Sequence, residues 1–182
     1  MIELYLLRHT KSDWPLQGNS DRDRVLAPRG VKAASTIGQF MSRSMYLPDI
    51  TLCSSAARTR QTLDLVAQNW KHDHKIRYSD TLYSGGAQAY FNQIREIPNA
   101  YSSAMLLAHN PTIHELALVL SGDGPAQDIA RLSEKYPTGG LSVIQFSSGT
   151  WSDIGQGGGT LIEFSTPKTI SQTPEDETCQ TK

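Results

Sequence analysis

Apolar and polar positions alternate along this chain in blocks with two different periods. Leu4-Tyr5-Leu6-Leu7, Ile50-Thr51-Leu52-Cys53 and Ala104-Met105-Leu106-Leu107-Ala108 are short continuous apolar runs, the pattern of strands covered on both faces. A weaker run, Ile76-Arg77-Tyr78, predicts a third strand between the second and the last of these. Helical spacing fills the intervals. Val31, Ala34, Ile37, Met41 and Met45 make one stripe between Arg29 and Tyr46, and Leu63, Val66, Ala67 and Trp70 make another. Ala87, Tyr90, Phe91, Ile94 and Ile97 follow, then Ile113, Leu116, Ala117 and Leu120, and a shorter helix is expected from Gln127 to Tyr136. Leu141 to Phe146 and Thr160 to Phe164 close the series as strands, and Ser121 to Pro125 and Gly157 to Gly159 read as turns. Alternating strands and helices predict a three-layer α/β/α sandwich around a mainly parallel sheet, with an antiparallel edge.

The 182 residues suit one domain, placed at 1–168. From Ser165 onward little remains to bury, so 169–182 is expected to be a polar, mobile tail. Lys11 to Pro28 is a long polar loop containing Pro15 and Gly18. With a formal net charge of −1 and interspersed signs, no basic face argues for nucleic acid and no polybasic run for a membrane surface. No leader or transmembrane run is apparent, and Cys53 and Cys179 lack metal-ligand spacing, so two unpaired thiols in a reducing cytoplasm are expected.

Two strands each deliver a histidine at their carboxyl end. Arg8-His9 follows the first, His109 follows the fourth, and Asn110-Pro111 reads as N-cap and first residue of the next helix. After the second strand, Ser55 is the expected N-cap and Arg58 lies in the first helical turn. Ligands of open α/β sheets bind beyond the carboxyl ends of the strands, so Arg8, His9, Arg58 and His109 are expected to converge. Two guanidiniums, two imidazoles and helix starts make an anion pocket, with phosphate its natural occupant. His72 and His74, beside two lysines, read as a solvated turn, and His114 as surface or rim. Trp14 either packs over the substrate or anchors in the core or the loop.

These motifs resemble the histidine phosphatase superfamily, in Arg8-His9, in Ser54-Ser55-Ala56-Ala57-Arg58-Thr59-Arg60-Gln61-Thr62 and in His109-Asn110-Pro111. Leu7 to Trp14, Asp23-Arg24-Val25-Leu26, Arg29-Gly30 and Lys135-Tyr136-Pro137-Thr138-Gly139 are similar to its short SixA-like phosphohistidine phosphatase branch. The resemblance spans roughly Met1 to Lys168 and implies a phosphoglycerate mutase-like fold. It also implies phosphoryl transfer without metal or cofactor: His9 as nucleophile, Arg8 and Arg58 as phosphate clamp, His109 as a further donor. A ring that serves only as a donor is better charged, which a bound phosphate dianion would favour. Thr10 and Ala108 stand where relatives commonly carry glycine, and Ser55 where they carry proline. The acid that mutases and many phosphoesterases of the superfamily carry after the third strand is replaced by Tyr83-Ser84-Gly85-Gly86, leaving Asp13, Asp21 and Asp23 as loop substitutes, Asp13 being the general-acid candidate. Without a proton donor a phosphoramidate is the better substrate. The implied partner is a phosphorylated protein bearing phosphohistidine. The alternatives are a small phosphorylated ester, or a phosphoprotein-binding module that has lost turnover.

Overall fold

The computed structural model describes residues 1–14, 20–147 and 149–172. Pro15 and Gly18 of the long loop, Cys179 and positions 173–182 lie outside the described residues. The strands are β1 (Ile2–Arg8), β2 (Ile50–Ser54), β3 (Lys75–Ser79), β4 (Ser103–Ala108), β5 (Ser121–Asp123), β6 (Leu141–Phe146) and β7 (Gly159–Ser165). They form a seven-stranded sheet of order β3-β2-β4-β1-β6-β7-β5. Among the described residues the pairings are parallel except those that β6 makes with β1 and β7. The antiparallel strand therefore lies inside the sheet and not at the expected edge. The turn expected at Ser121 to Pro125 begins instead with β5, which completes the sheet beside β7.

The helices are α1 (Pro28–Arg43), α2 (Ala57–Ala67), α3 (Thr81–Ser84), α4 (Ala87–Arg95), α5 (Thr112–Leu120), α6 (Ala126–Glu134) and α7 (Pro167–Gln172). Period-two alternation along β1 sorts them into two layers. Tyr5 and Leu7 face Ala34, Ile37 and Met41 of α1, Leu63 and Val66 of α2, and Ile170 of α7. Leu4 and Leu6 face Tyr90 and Ile94 of α4, Ile113 and Leu116 of α5, and Leu132 of α6. Both faces are thus covered, which is why β1 and β4 read as unbroken apolar runs.

The expected division between domain and tail at 168/169 falls inside α7. Its cause is Ile170, an isolated apolar residue in polar sequence, 8% exposed and packed in the α1 layer.

Two glycines bring the chain close to the carboxyl end of β1. Gly139 holds φ +74 and donates its N–H to the carbonyls of Arg8 (3.1 Å) and His9 (3.2 Å). A Cβ on Gly30 would lie 2.0 Å from the Lys11 carbonyl oxygen, so only glycine lets α1 pass there.

Candidate active site

The ends of β1, β2 and β4 deliver Arg8, Ser54 and the residue before His109, in neighbouring positions of one sheet edge. His9 and His109 are each 8% exposed, and their ring centroids are 5.1 Å apart. His9 Nδ1 lies 2.7 Å from the Thr10 carbonyl oxygen. A carbonyl only accepts, so Nδ1 carries the proton and the Nε2 lone pair is left free. Burial, reinforced by His109, Arg58 and Arg8, lowers the His9 pKa to about 3.

His109 pairs its Nε2 with Ser54 Oγ at 2.7 Å, while its Nδ1 is buried without a partner. Burial first, then Arg58, bring its pKa to about 4, against a smaller opposing effect of Asp21. These effects favour the neutral ring, and the charged donor expected at this position is one that a bound phosphate dianion would favour. Only an incoming anion would offset the desolvation cost of its proton.

The two arginines are anchored differently. Arg8 donates from Nη1 to the Tyr136 carbonyl (2.8 Å), which also accepts from Asn110 Nδ2 (2.9 Å); Arg8 Nε is buried and unpartnered. Arg58, in the first turn of α2 as expected and 7% exposed, donates to the Asp21 carbonyl (2.6 Å) and meets its carboxylate at 3.1 Å. Asp21 opens a 3-10 turn, Asp21–Asp23, and is also held by Arg24 (2.8 Å) and by the Tyr83 hydroxyl (3.2 Å). The hydrogen bond from Arg24 is the main reason its carboxyl sits below the usual range. The Tyr83 ring lies edge-on to His109, at 5.7 Å, with the guanidiniums of Arg22 and Arg58 over it.

Arg8, His9, Arg58 and His109 come together as the spacing predicts. Asp13 does not join them: it is exposed, its N–H donates to Val25, and its carbonyl accepts from Arg24. The carboxylate brought to the cluster is Asp21. Neither expected helix cap forms. Ala56 and Pro111 occupy the N-cap positions of α2 and α5; Ser55 Oγ donates to Asp80, and Asn110 donates from Nδ2 to the Tyr136 carbonyl while its Oδ1 is left without a partner. Trp14 is 85% exposed with Arg24 over its ring at 5.7 Å. His74 packs edge-on against Trp70 at 4.9 Å, and His114 Nε2 donates to the Leu132 carbonyl, joining α5 to α6.

Residue-by-residue reading missed Ser54, Thr62 and Tyr83 as site-forming groups. Thr62 accepts from the Thr10 N–H (3.2 Å), pairs with Thr10 Oγ1 (3.3 Å) and donates to the Arg58 carbonyl (2.7 Å). Thr10, where glycine is usual, therefore ties the strand end at His9 to the helix that carries Arg58. The available signal was Thr62 lying one helical turn beyond Arg58. The thiol of buried Cys53 is pushed up to about 12 by burial and is unsuited to nucleophilic chemistry.

Among the described residues no group of three or more His, Cys, Asp and Glu side chains is arranged to hold a metal, and no helix is long and apolar enough to cross a membrane.

Residues 4–83 match the model of the histidine phosphatase superfamily (branch 1). An uncharacterised protein of Mycobacterium tuberculosis is 34% identical over 164 residues, which cover 89% of this chain and all of that protein. The crystal structure from Agrobacterium tumefaciens assigned as the phosphohistidine phosphatase SixA is 30% identical, with a TM-score of 0.78 over 91% of this chain and 98% of that one. The protein histidine phosphatase SixA complexed with tungstate shares the fold at 17% identity and a TM-score of 0.72, over 93% and 99% of the two chains.

Proposed function

Because this chain belongs to the histidine phosphatase superfamily and is a phosphatase, we propose that it removes the phosphoryl group from phosphohistidine on a protein, through a covalent intermediate on His9. In the first step the P–N bond to the substrate imidazole breaks as a bond forms from His9 Nε2 to phosphorus. The departing ring takes its proton from solvent. In the second step water attacks phosphorus, the bond to Nε2 breaks, and inorganic phosphate leaves.

The observation that carries this reading is the His9 ring itself: neutral, with its Nδ1 proton fixed on the Thr10 carbonyl and Nε2 free, 5.1 Å from His109 between centroids. Arg8 and Arg58 supply the planar donors that suit non-bridging phosphoryl oxygens. On binding, the phosphate dianion competes with the Asp21 carboxylate for Arg58 and makes protonation of His109 favourable.

Leaving-group chemistry selects the substrate class. Imidazole, with a reference pKa near 6.5, departs readily, whereas an alkoxide needs a proton in the transition state. Asp21 is held ionised by Arg24, Arg58 and Tyr83, and so is a poor acid at neutral pH. A second reading, hydrolysis of a small phosphomonoester with a loop acid, draws on the closeness of Asp21 to Arg58 and is disfavoured by that same ionisation.

The test is phosphate release from a phosphohistidine peptide and from p-nitrophenyl phosphate by the wild type and His9→Ala. The reading predicts faster release from the peptide and none by the variant. Preference for the ester would move the assignment to the second reading.

A further inference from the structure

The Arg29-Gly30 and Lys135 to Gly139 segments carry the SixA-like resemblance; the second holds Arg8 and His9 through the backbone of Tyr136 and Gly139, and both segments border one cleft. It has a volume of about 690 Å3 and lies between α1, α6, the end of β7 and α7. Ala33, Pro137, Phe164 and Pro167 give it apolar lining. Lys11, Arg29, Arg131, Lys135 and Lys168 supply positive charge, against one acid of the lining, Glu134. Arg131 is paired with Asp128 at 2.9 Å, and Lys135 reaches Glu134 at 3.4 Å. Lys11, Arg29 and Lys168 make no ion pair among the described residues. In a chain of net charge −1 this is a local concentration of one sign.

Its position follows from the topology. Strand β6 runs against β1 and starts where β1 ends, so the segment before β6 lies beside His9 on the side away from β2 and Arg58. Lys11 is two residues past His9, Tyr136 accepts from Arg8, and Gly139 donates to both Arg8 and His9. The cleft and the phosphoryl site therefore share one edge of the sheet and one loop.

We propose that this cleft docks an acidic segment of the phosphoprotein substrate, its carboxylates against Lys11, Arg29, Lys135 and Lys168 while the phosphorylated residue occupies the pocket at His9. The inference rests on the phosphohistidine reading and extends it to substrate selection. A compact second phosphoryl group would call for convergent, buried donors like those of Arg8 and Arg58. Here the cations come from different elements, stand apart around apolar lining, and include lysines, which act as solvated point charges. That arrangement suits carboxylates spaced along a peptide with an apolar side chain between them.

The experiment uses the whole chain, Lys135→Glu/Lys168→Glu as the variant, and fluorescence anisotropy of an unphosphorylated Glu/Asp-rich peptide and its Gln/Asn counterpart. The acidic peptide should bind in a salt-sensitive way, and the double reversal should weaken it roughly tenfold, since each reversed rim charge turns a modest attraction into repulsion. In parallel, KM for a phosphohistidine peptide with acidic flanks should rise by a similar factor, with turnover of free phosphohistidine unchanged. Equal binding of the Gln/Asn peptide, or binding that ignores the double reversal, overturns the proposal. So does a KM increase confined to a small bisphosphate. Binding that behaves as expected while no phosphohistidine compound is turned over supports the cleft and overturns the substrate reading instead.

Discussion

Lowering the pH from 7.5 to 5.0 should destabilise this protein, because two histidines that the native state keeps neutral take up protons once it unfolds. His9 and His109 have native pKa values of about 3 and about 4, against 6.5 in an unfolded chain. The unfolded state therefore binds more protons throughout this window, and stability falls as pH falls. Above pH 6.5 neither state is charged at these rings, and they contribute no pH dependence. Below it each ring costs about 1.4 kcal/mol per pH unit, so the pair should remove about 4 kcal/mol by pH 5.0, a large part of an ordinary domain's 5–15 kcal/mol. Asp21 and Asp49, whose carboxyls sit below the usual carboxylate range, lose their contributions only at lower pH and leave the window to the histidines. The assay is urea unfolding in phosphate-free buffer at several pH values, with His9→Asn and His109→Gln as controls, each expected to remove about half of the loss. Inorganic phosphate should blunt it, because the dianion favours a protonated His109. A wild-type stability that stays flat to pH 5.0, or one that falls as steeply in both variants as in the wild type, would refute the reasoning.

Three further outcomes follow from the same geometry. Arg58→Ala should lower kcat/KM on a phosphohistidine peptide by about 10²–10³-fold, the usual loss for a donor to transition-state charge, with circular dichroism checking the fold. Asp21→Asn should free Arg58 of its carboxylate and let inorganic phosphate inhibit several-fold more tightly, read as a lower inhibition constant. Gly30→Ala would drive a Cβ to 2.0 Å from the Lys11 carbonyl oxygen and should cost about 1–3 kcal/mol in urea unfolding, with reduced turnover because Lys11 is two residues from His9.

The order of β1 to β4, β6 and β7 with the longer helices between them, and the meeting of Arg8, His9, Arg58 and His109, were legible because both rest on short rules. Apolar runs covered on two faces specify β1, β2 and β4, and ligands gather at the ends of such strands. What escaped depends on tertiary partners. The position of β6 inside the sheet is set by pairing with both β1 and β7, which its own six residues do not encode. Ile170 counted as tail because one apolar residue has no period, yet a groove beside α1 buries it. The caps are a related case: both helices start one residue later than expected, and Ser55 and Asn110 orient their side chains toward Asp80 and the Tyr136 carbonyl, partners remote in sequence. Asp13 and Asp21 are equivalent as letters in a loop; only the 3-10 turn at Asp21 and the bond to Arg58 separate them.

The most direct test of the central claim is rapid quench of the enzyme with a phosphohistidine substrate, followed by mass spectrometry under alkaline conditions that preserve phosphoramidates. A phosphoryl group on His9, formed and lost at rates matching turnover and missing from His9→Ala, is the predicted result. Turnover in which the label appears on another residue, or in which His9→Ala remains active, would contradict it.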